Sequence, residues 1–280
     1  MLQRPAILIL LLVAIACSGR VPRRVNLELG PENLHRVTSS VYCGGEPRGA
    51  EAFAALAALG VRTIVSVDGL PPDTQAARRH GMRYVHLPIG YDTIERSQAV
   101  RIVKAATDLE GPIYIHCHHG RNRAVAAAAV VAMATQGWPA QQAVHWMRRA
   151  GASEQYHGLY EAVRRFHPPS ADERDRQPPA PQLPETVDSP PMRQAMAQID
   201  RIWDALRADS AREMPRHALL LAEQYRELLR RPETAAHGDD LLDQLQRAEG
   251  LALRLRDHGG EAELAAVARS CRTCHVRYRD

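Results

Sequence analysis

At 280 residues the chain can hold two modest domains, each large enough for its own core. Hydrophobic residues make up 45% and charged residues 24%, ordinary shares for globular protein, and aromatics only 5%, so Ala and Leu must fill much of the interior. The formal charge of +4 is small and no dense Lys/Arg run with interleaved aromatics is present, which argues against nucleic acid as a partner.

In chain order, Arg4 precedes an apolar run from Ala6 to Ala16 that is too short to span a membrane as a mature helix and reads as an export signal. It ends in Ala14-Ile15-Ala16-Cys17-Ser18, which resembles a bacterial lipoprotein signal, although Ala14 stands where Leu is commoner. That resemblance implies a signal over residues 1–17, lipidation of Cys17, and a membrane-anchored protein facing the periplasm. An ordinary cleaved secretory signal, with Cys17 incidental, is the alternative. The five cysteines, at 17, 43, 117, 271 and 274, do not make a disulfide framework.

Residues 26–168 form the first predicted domain. Strand-like segments are expected at 37–43, 61–67, 82–87 and 112–116, and helix-like segments at 49–59, 74–80, 97–109, 123–136, 139–150 and 155–166. Strands separated by helices predict an α/β domain with a mainly parallel sheet covered on both faces. Residues 169–190 are rich in Pro and charge and read as an extended linker. From 191 to 280 the pattern is purely helical. Apolar residues recur at spacings of three and four in sets around Met196 and Trp203, Leu221 and Tyr225, Leu245 and Leu251, and Val267 and Cys274. Breaks near Ser210, Pro232 and Gly259-Gly260 separate them, which predicts an all-α antiparallel four-helix bundle.

Cys271-Arg272-Thr273-Cys274-His275 has the Cys-x-x-Cys-His spacing of covalent haem c attachment. Two thiols one helical turn apart reach the two vinyl groups of one porphyrin, and the next residue offers an imidazole to iron. A redox dithiol leaves the His unexplained, and a zinc site lacks two further ligands nearby. In the last helix this motif resembles the cytochrome c-prime and c556 family. The resemblance covers about residues 191–280 and implies Cys271 and Cys274 as haem attachment points and His275 as axial iron ligand. It also raises a sixth ligand, for which Met196 and then Met192 are the candidates, one turn apart on the apolar stripe; core packing explains Met at that spacing equally well. A redox partner, or a diatomic gas at an open iron position, is the partner this implies.

His116-Cys117-His118-His119-Gly120-Arg121-Asn122-Arg123 reads as His-Cys-x5-Arg between a buried strand and a helix. Five intervening residues allow a loop whose N–H groups converge on one phosphate, beside the positive end of the following helix. That environment stabilises the thiolate of Cys117 as a nucleophile, Arg123 clamps the phosphate, and Gly120 permits the tight turn. The phosphate-binding loop is then His118, His119, Gly120, Arg121 and Asn122. The segment resembles the protein tyrosine and dual-specificity phosphatase superfamily over about residues 37–167. The resemblance implies hydrolysis of a phosphorylated substrate through a phosphocysteine, with an Asp after an upstream strand as the acid. Asp92 fits that place, with Asp68 its competitor. Ala124 departs from the Ser or Thr usual after the motif Arg, which predicts slow breakdown of the phosphocysteine. A metal site from His116, His118 and His119 is limited because neighbours on a strand end point to opposite sides. Cys43 reads as a buried small residue or a resolving thiol for Cys117. Two functions follow: an exported phosphatase whose haem domain senses redox state or gas, or a cytochrome beside a silent phosphatase-like module.

Overall fold

The computed structural model describes residues 30–208 and 212–278, so Cys17 and the export segment lie outside the described residues. The first domain runs β1 (His35–Arg36), β2 (Val41–Gly44), α1 (Gly49–Ala58), β3 (Thr63–Ser66), α2 (Thr74–Arg79), β4 (Arg83–His86), α3 (Arg96–Asp108), β5 (Ile113–His116), α4 (Arg123–Gln136), α5 (Ala140–Arg149) and α6 (His157–Arg165). The strands form one mixed sheet in the order β1-β2-β5-β3-β4, with β1 antiparallel and the other pairings parallel.

Alternation along the strands divides the interior in two. Ile113 and Ile115 of β5, Val65 of β3 and Val85 of β4 join the large core that includes residues of α3 to α6. Tyr114, Ile64 and Tyr84 point the other way and pack with Phe53 and Leu56 of α1 and Ala76 and Ala77 of α2. Helix α4 is buried from Arg123 to Met133, and its Ala-rich surface lets the sheet and neighbouring helices approach closely. The register brings the strands to a common end: Gly44 pairs with His116, His116 with Ser66, and Ser66 with His86. The loops leaving these strand ends therefore meet at one place, where ligands bind in sheets of this kind.

The Pro-rich stretch expected as an extended linker is instead pinned to the domain. Ser170 caps a short helix, α7 (Ala171–Asp175), and Glu173 of that helix accepts two hydrogen bonds from Arg96, at 2.9 and 2.8 Å. Arg83 then donates to the carbonyls of Pro181 and Leu183, the His86 N–H donates to Pro184, and the Val187 N–H donates to the His86 ring. Those partners are backbone groups, which leave no trace in a composition count.

Beyond it the chain is helical: α8 (Met192–Ala208), α9 (Met214–Leu229), α10 (Pro232–Ala236), α11 (Asp239–His258) and α12 (Glu261–Tyr278). The break expected near Pro232 is itself a helix of five residues, started by Pro at its first position. The four long helices share one core that includes Ile199, Leu206, Leu221, Tyr225, Leu245, Leu255 and Val267. Among the described residues no helix is long and apolar enough to cross a membrane.

Candidate active site at the Cys117 loop

The loop from His116 to Arg123 joins the end of β5 to the start of α4 and is held from several sides. Asn33 donates to the His119 carbonyl at 2.7 Å, the Glu46 N–H donates to the His118 carbonyl at 3.0 Å, and Asn122 accepts from the Ser153 N–H at 3.0 Å. Gly120 has a φ of +70° and lies against the backbone of Gly44 and Gly45, where a side chain has no room. Tyr114 fixes that same turn by donating to the Gly45 carbonyl at 2.6 Å.

Cys117 is only 3% exposed and, with His118, His119, Arg121 and Asn122, lines a cavity of about 320 Å³. His116 lies below the loop, stacked on Tyr114 and edge-on to Tyr84. Burial pushes its imidazole down to about 4, so it is neutral at neutral pH. His118 faces elsewhere, 3.3 Å from the Glu46 carboxylate, so the three histidines do not converge on one point. The hydrogen bond from His118 holds Glu46 below the usual carboxylate range, against the opposing effect of burial. Cys43, fully buried on β2, is a free thiol like Cys117. Burial first, and the neighbouring Cys117 second, push the Cys43 thiol up, which keeps it protonated and a poor attacking group.

Arg123 is 1% exposed and bonded on two sides. Its Nη2 donates to Asp68 Oδ1 at 2.9 Å, its Nη1 donates to Glu227 Oε1 at 2.6 Å, and the guanidinium lies 4.2 Å from the centre of the Tyr91 ring. Asp68, two residues beyond β3, also accepts two hydrogen bonds from Arg230, at 2.8 and 2.9 Å. Burial alone would raise its carboxyl, but the Arg230 hydrogen bonds and the charges of Arg123 and Arg230 prevail and hold it well below the usual range. Asp68 is thus a fixed anion, unsuited to giving up a proton.

Asp92 sits on the loop after β4 but does not line the Cys117 cavity. It is exposed, its carboxylate folds back over Gly90, and it borders a neighbouring hollow with His157 and Arg165. The residue of that loop that reaches the cavity is Tyr91.

The depressed carboxyl of Asp68 has a consequence for stability. Its contribution is present above its unfolded pKa, about 3.9, and is lost as pH falls through that value toward the folded one. Asp68→Asn should therefore cost about 3 kcal/mol at pH 7, because two largely buried guanidinium groups lose their shared partner. The difference from wild type should shrink below about pH 4. Denaturant unfolding at both pH values measures this; a gap that does not change with pH would rule the ionic origin out.

Five residues of the cavity wall, Glu223, Arg226, Glu227, Leu229 and Arg230, come from α9 and its C-terminal end, not from the first domain. The sequence marks them only as a charged helix face.

A second cavity, of about 460 Å³, lies among α8, α9, α11 and α12. Cys271, Cys274 and His275 line it together with Met196, Trp203, Tyr225 and Leu245, and the Tyr225 hydroxyl is 3.6 Å from Cys271 Sγ. An adjoining hollow of about 380 Å³ is lined by Met192, Met196, Cys274 and His275. Two free thiols and an imidazole bordering one partly apolar cavity are the donor set that covalently held haem requires, and the residues fit that group.

The family model for the DSP-PTPase phosphatase domain of Swiss Army Knife proteins matches residues 35–179. The dual specificity protein phosphatase TpbA of Pseudomonas aeruginosa (strain UCBPP-PA14) is 32% identical over 126 residues, covering 44% of this chain and 56% of the relative. This chain thus spans little more than half the length of that relative. Among solved structures, P. aeruginosa TpbA superposes with a TM-score of 0.43 at 27% identity, over 49% of this chain and 86% of that one. The core catalytic domain of the PP-IP phosphatase SIW14 from S. cerevisiae, in complex with citrate, superposes with a TM-score of 0.44 at 18% identity, over 52% of this chain and 91% of that one.

Proposed function

Because the chain belongs to the DSP-PTPase phosphatase family through residues 35–179, we propose that it is a cysteine-dependent phosphoric monoester hydrolase, exported and lipid-anchored at Cys17, with a helical domain that carries haem c. The observation that carries the hydrolase reading is the placement of Cys117 and Arg123 at the two ends of one strand-to-helix loop opening into a 320 Å³ cavity.

The substrate phosphate sits on the loop N–H groups and the Arg123 fork, which binds most strongly as charge spreads over the oxygens in the transition state. Cys117 Sγ attacks phosphorus, the S–P bond forms, and the P–O bond to the leaving group breaks. The leaving oxygen takes its proton from Asp92, the neighbour of the cavity-lining Tyr91. Asp68 cannot serve, because Arg123 and Arg230 hold it as an anion. Water then attacks phosphorus and gives its proton to the carboxylate that Asp92 has become, the S–P bond breaks, and inorganic phosphate and the Cys117 thiolate are released. Ala124 offers no hydroxyl to assist the departing thiolate, so this second step limits turnover.

In the helical domain Cys271 and Cys274 would hold haem covalently, with His275 and the candidate Met196 as the residues that would bind its iron. The group would supply one-electron chemistry, or binding of a small gas where iron keeps an open position. Ala124 is the observation that favours a second reading, a cytochrome beside an inactive phosphatase-like domain.

The deciding experiment uses the full chain matured in a host that attaches c-type haem. Expected are haem absorbance that survives denaturing extraction and hydrolysis of p-nitrophenyl phosphate that orthovanadate suppresses. Haem bound without turnover, with iron oxidised or reduced, would leave the second reading standing.

A further inference from the structure

On α9 and the residue just past it, the side chains at 223, 226, 227 and 230 form one charged stripe. A stripe of this kind ordinarily faces water, but here it is pressed against the Cys117 cavity. Glu223 is 4% exposed and accepts from the Tyr156 hydroxyl at 2.7 Å. Glu227 reaches Arg123 Nη1 at 2.6 Å, and Arg230 closes a two-bond pair on Asp68.

Arg123 thereby has both terminal nitrogens occupied, one by Asp68 and one by Glu227. Asp68 is built into the same domain as Arg123, and on the other terminal nitrogen that domain supplies only a long bond to the Ile89 carbonyl, at 3.4 Å, which leaves one of its N–H groups for a ligand. Glu227 takes that nitrogen. A carboxylate satisfies a guanidinium N–H in the way a phosphate oxygen does, so the two compete for one place. We propose that Glu227 is a built-in competitor for the phosphate site: α9 lays a carboxylate on Arg123, the Arg230–Asp68 pair latches it, and a phosphate ester binds only after Glu227 leaves.

The proposal rests on Cys117–Arg123 being a phosphate site. It also gives the domain arrangement a physical meaning, because α9 lines both cavities. Glu223 and Glu227 face the phosphatase loop, while Tyr225 faces Cys271. Movement of α9 that frees Arg123 must therefore shift a wall of the Cys271–His275 cavity as well.

Calorimetric titration with inorganic tungstate, a phosphate-shaped oxyanion, tests this on the full chain. Glu227→Gln keeps the size of the side chain and removes its charge, and should bind tungstate at least tenfold more tightly than wild type, about 1.4 kcal/mol. Arg230→Gln releases the latch but leaves Glu227, and should shift affinity in the same direction by less. Thermal melts check that both variants are folded. Equal, measurable affinity in wild type and both variants overturns the competitor and leaves the phosphate site intact. Weaker binding in Glu227→Gln also overturns it, since Glu227 would then be organising the site. Absence of binding in all three overturns the phosphate site and the competitor together.

Discussion

Cys117→Ser is expected to reduce p-nitrophenyl phosphate turnover by about four orders of magnitude or more, to background, while tungstate binding stays within a few-fold of wild type. In the proposed reaction the loop holds an anion and presents a sulfur; it does not deprotonate a hydroxyl. Cys117 is buried at the end of β5, on the loop that leads into α4. A serine there would need a base. The imidazole of His116 is packed against two tyrosines beneath the loop, with its Nδ1 directed at the Cys117 carbonyl, and that of His118 is turned to Glu46. Glu223 lines the cavity but is already engaged by Tyr156 and Arg226. Steady-state kinetics and calorimetry on the same preparation separate chemistry from binding. Turnover retained in Cys117→Ser would remove sulfur from the mechanism. Loss of turnover together with loss of oxyanion binding would point to a collapsed loop instead.

The sequence and the structure agree best where burial is two-sided and local. Helix α4 begins at Arg123 and ends at Gln136 as the pattern predicts, because an unbroken Ala/Val run is bounded by a glycine, Gly137, in the left-handed conformation. The strand expected at 37–43 begins only at Val41, since the N–H groups of Val37 and Thr38 both turn back to the Val41 carbonyl. A two-residue strand such as β1 has no periodicity to read. At the site, the two halves of the Cys-x5-Arg loop are adjacent in sequence and were legible. The partners of Arg123 were not: Asp68 is 55 positions away and Glu227 is 104. Asp68 and Asp92 both follow strands and look alike as acids on paper. Only strand register and the direction of each loop distinguish them, bringing Asp68 level with Arg123 and leaving Asp92 outside the cavity. The stripe on α9 has the composition of a solvated face whether it meets water or another domain, so its role could not be inferred before the domains were placed together.

Gly120→Ala is expected to damage both the stability of the Cys117 loop and the reaction proposed for it. Two effects combine. A residue with a side chain at a φ of +70° costs about 1–2 kcal/mol relative to an ordinary conformation. The added Cβ would also fall 2.0 Å from the Gly44 carbonyl carbon and 2.1 Å from the Gly45 nitrogen. Those are backbone atoms, so no rotamer change relieves the overlap. They cannot retreat easily either, because the Gly45 carbonyl accepts from Tyr114 and its N–H donates to Glu32. The loop must move instead, carrying His118 and His119 away from their present bonds. We expect a loss of about 3 kcal/mol or more in stability and at least a hundredfold fall in kcat/KM. Gly137→Ala supplies the control: its φ is +66°, but nothing lies within 4 Å of the added carbon. It should cost only the conformational part, about 1–2 kcal/mol, and leave catalysis unchanged. Denaturant melts and kinetics on the two variants therefore separate backbone strain from close approach. Similar losses in both would mean that the left-handed conformation alone shapes the loop and that its contact with the end of β2 contributes little.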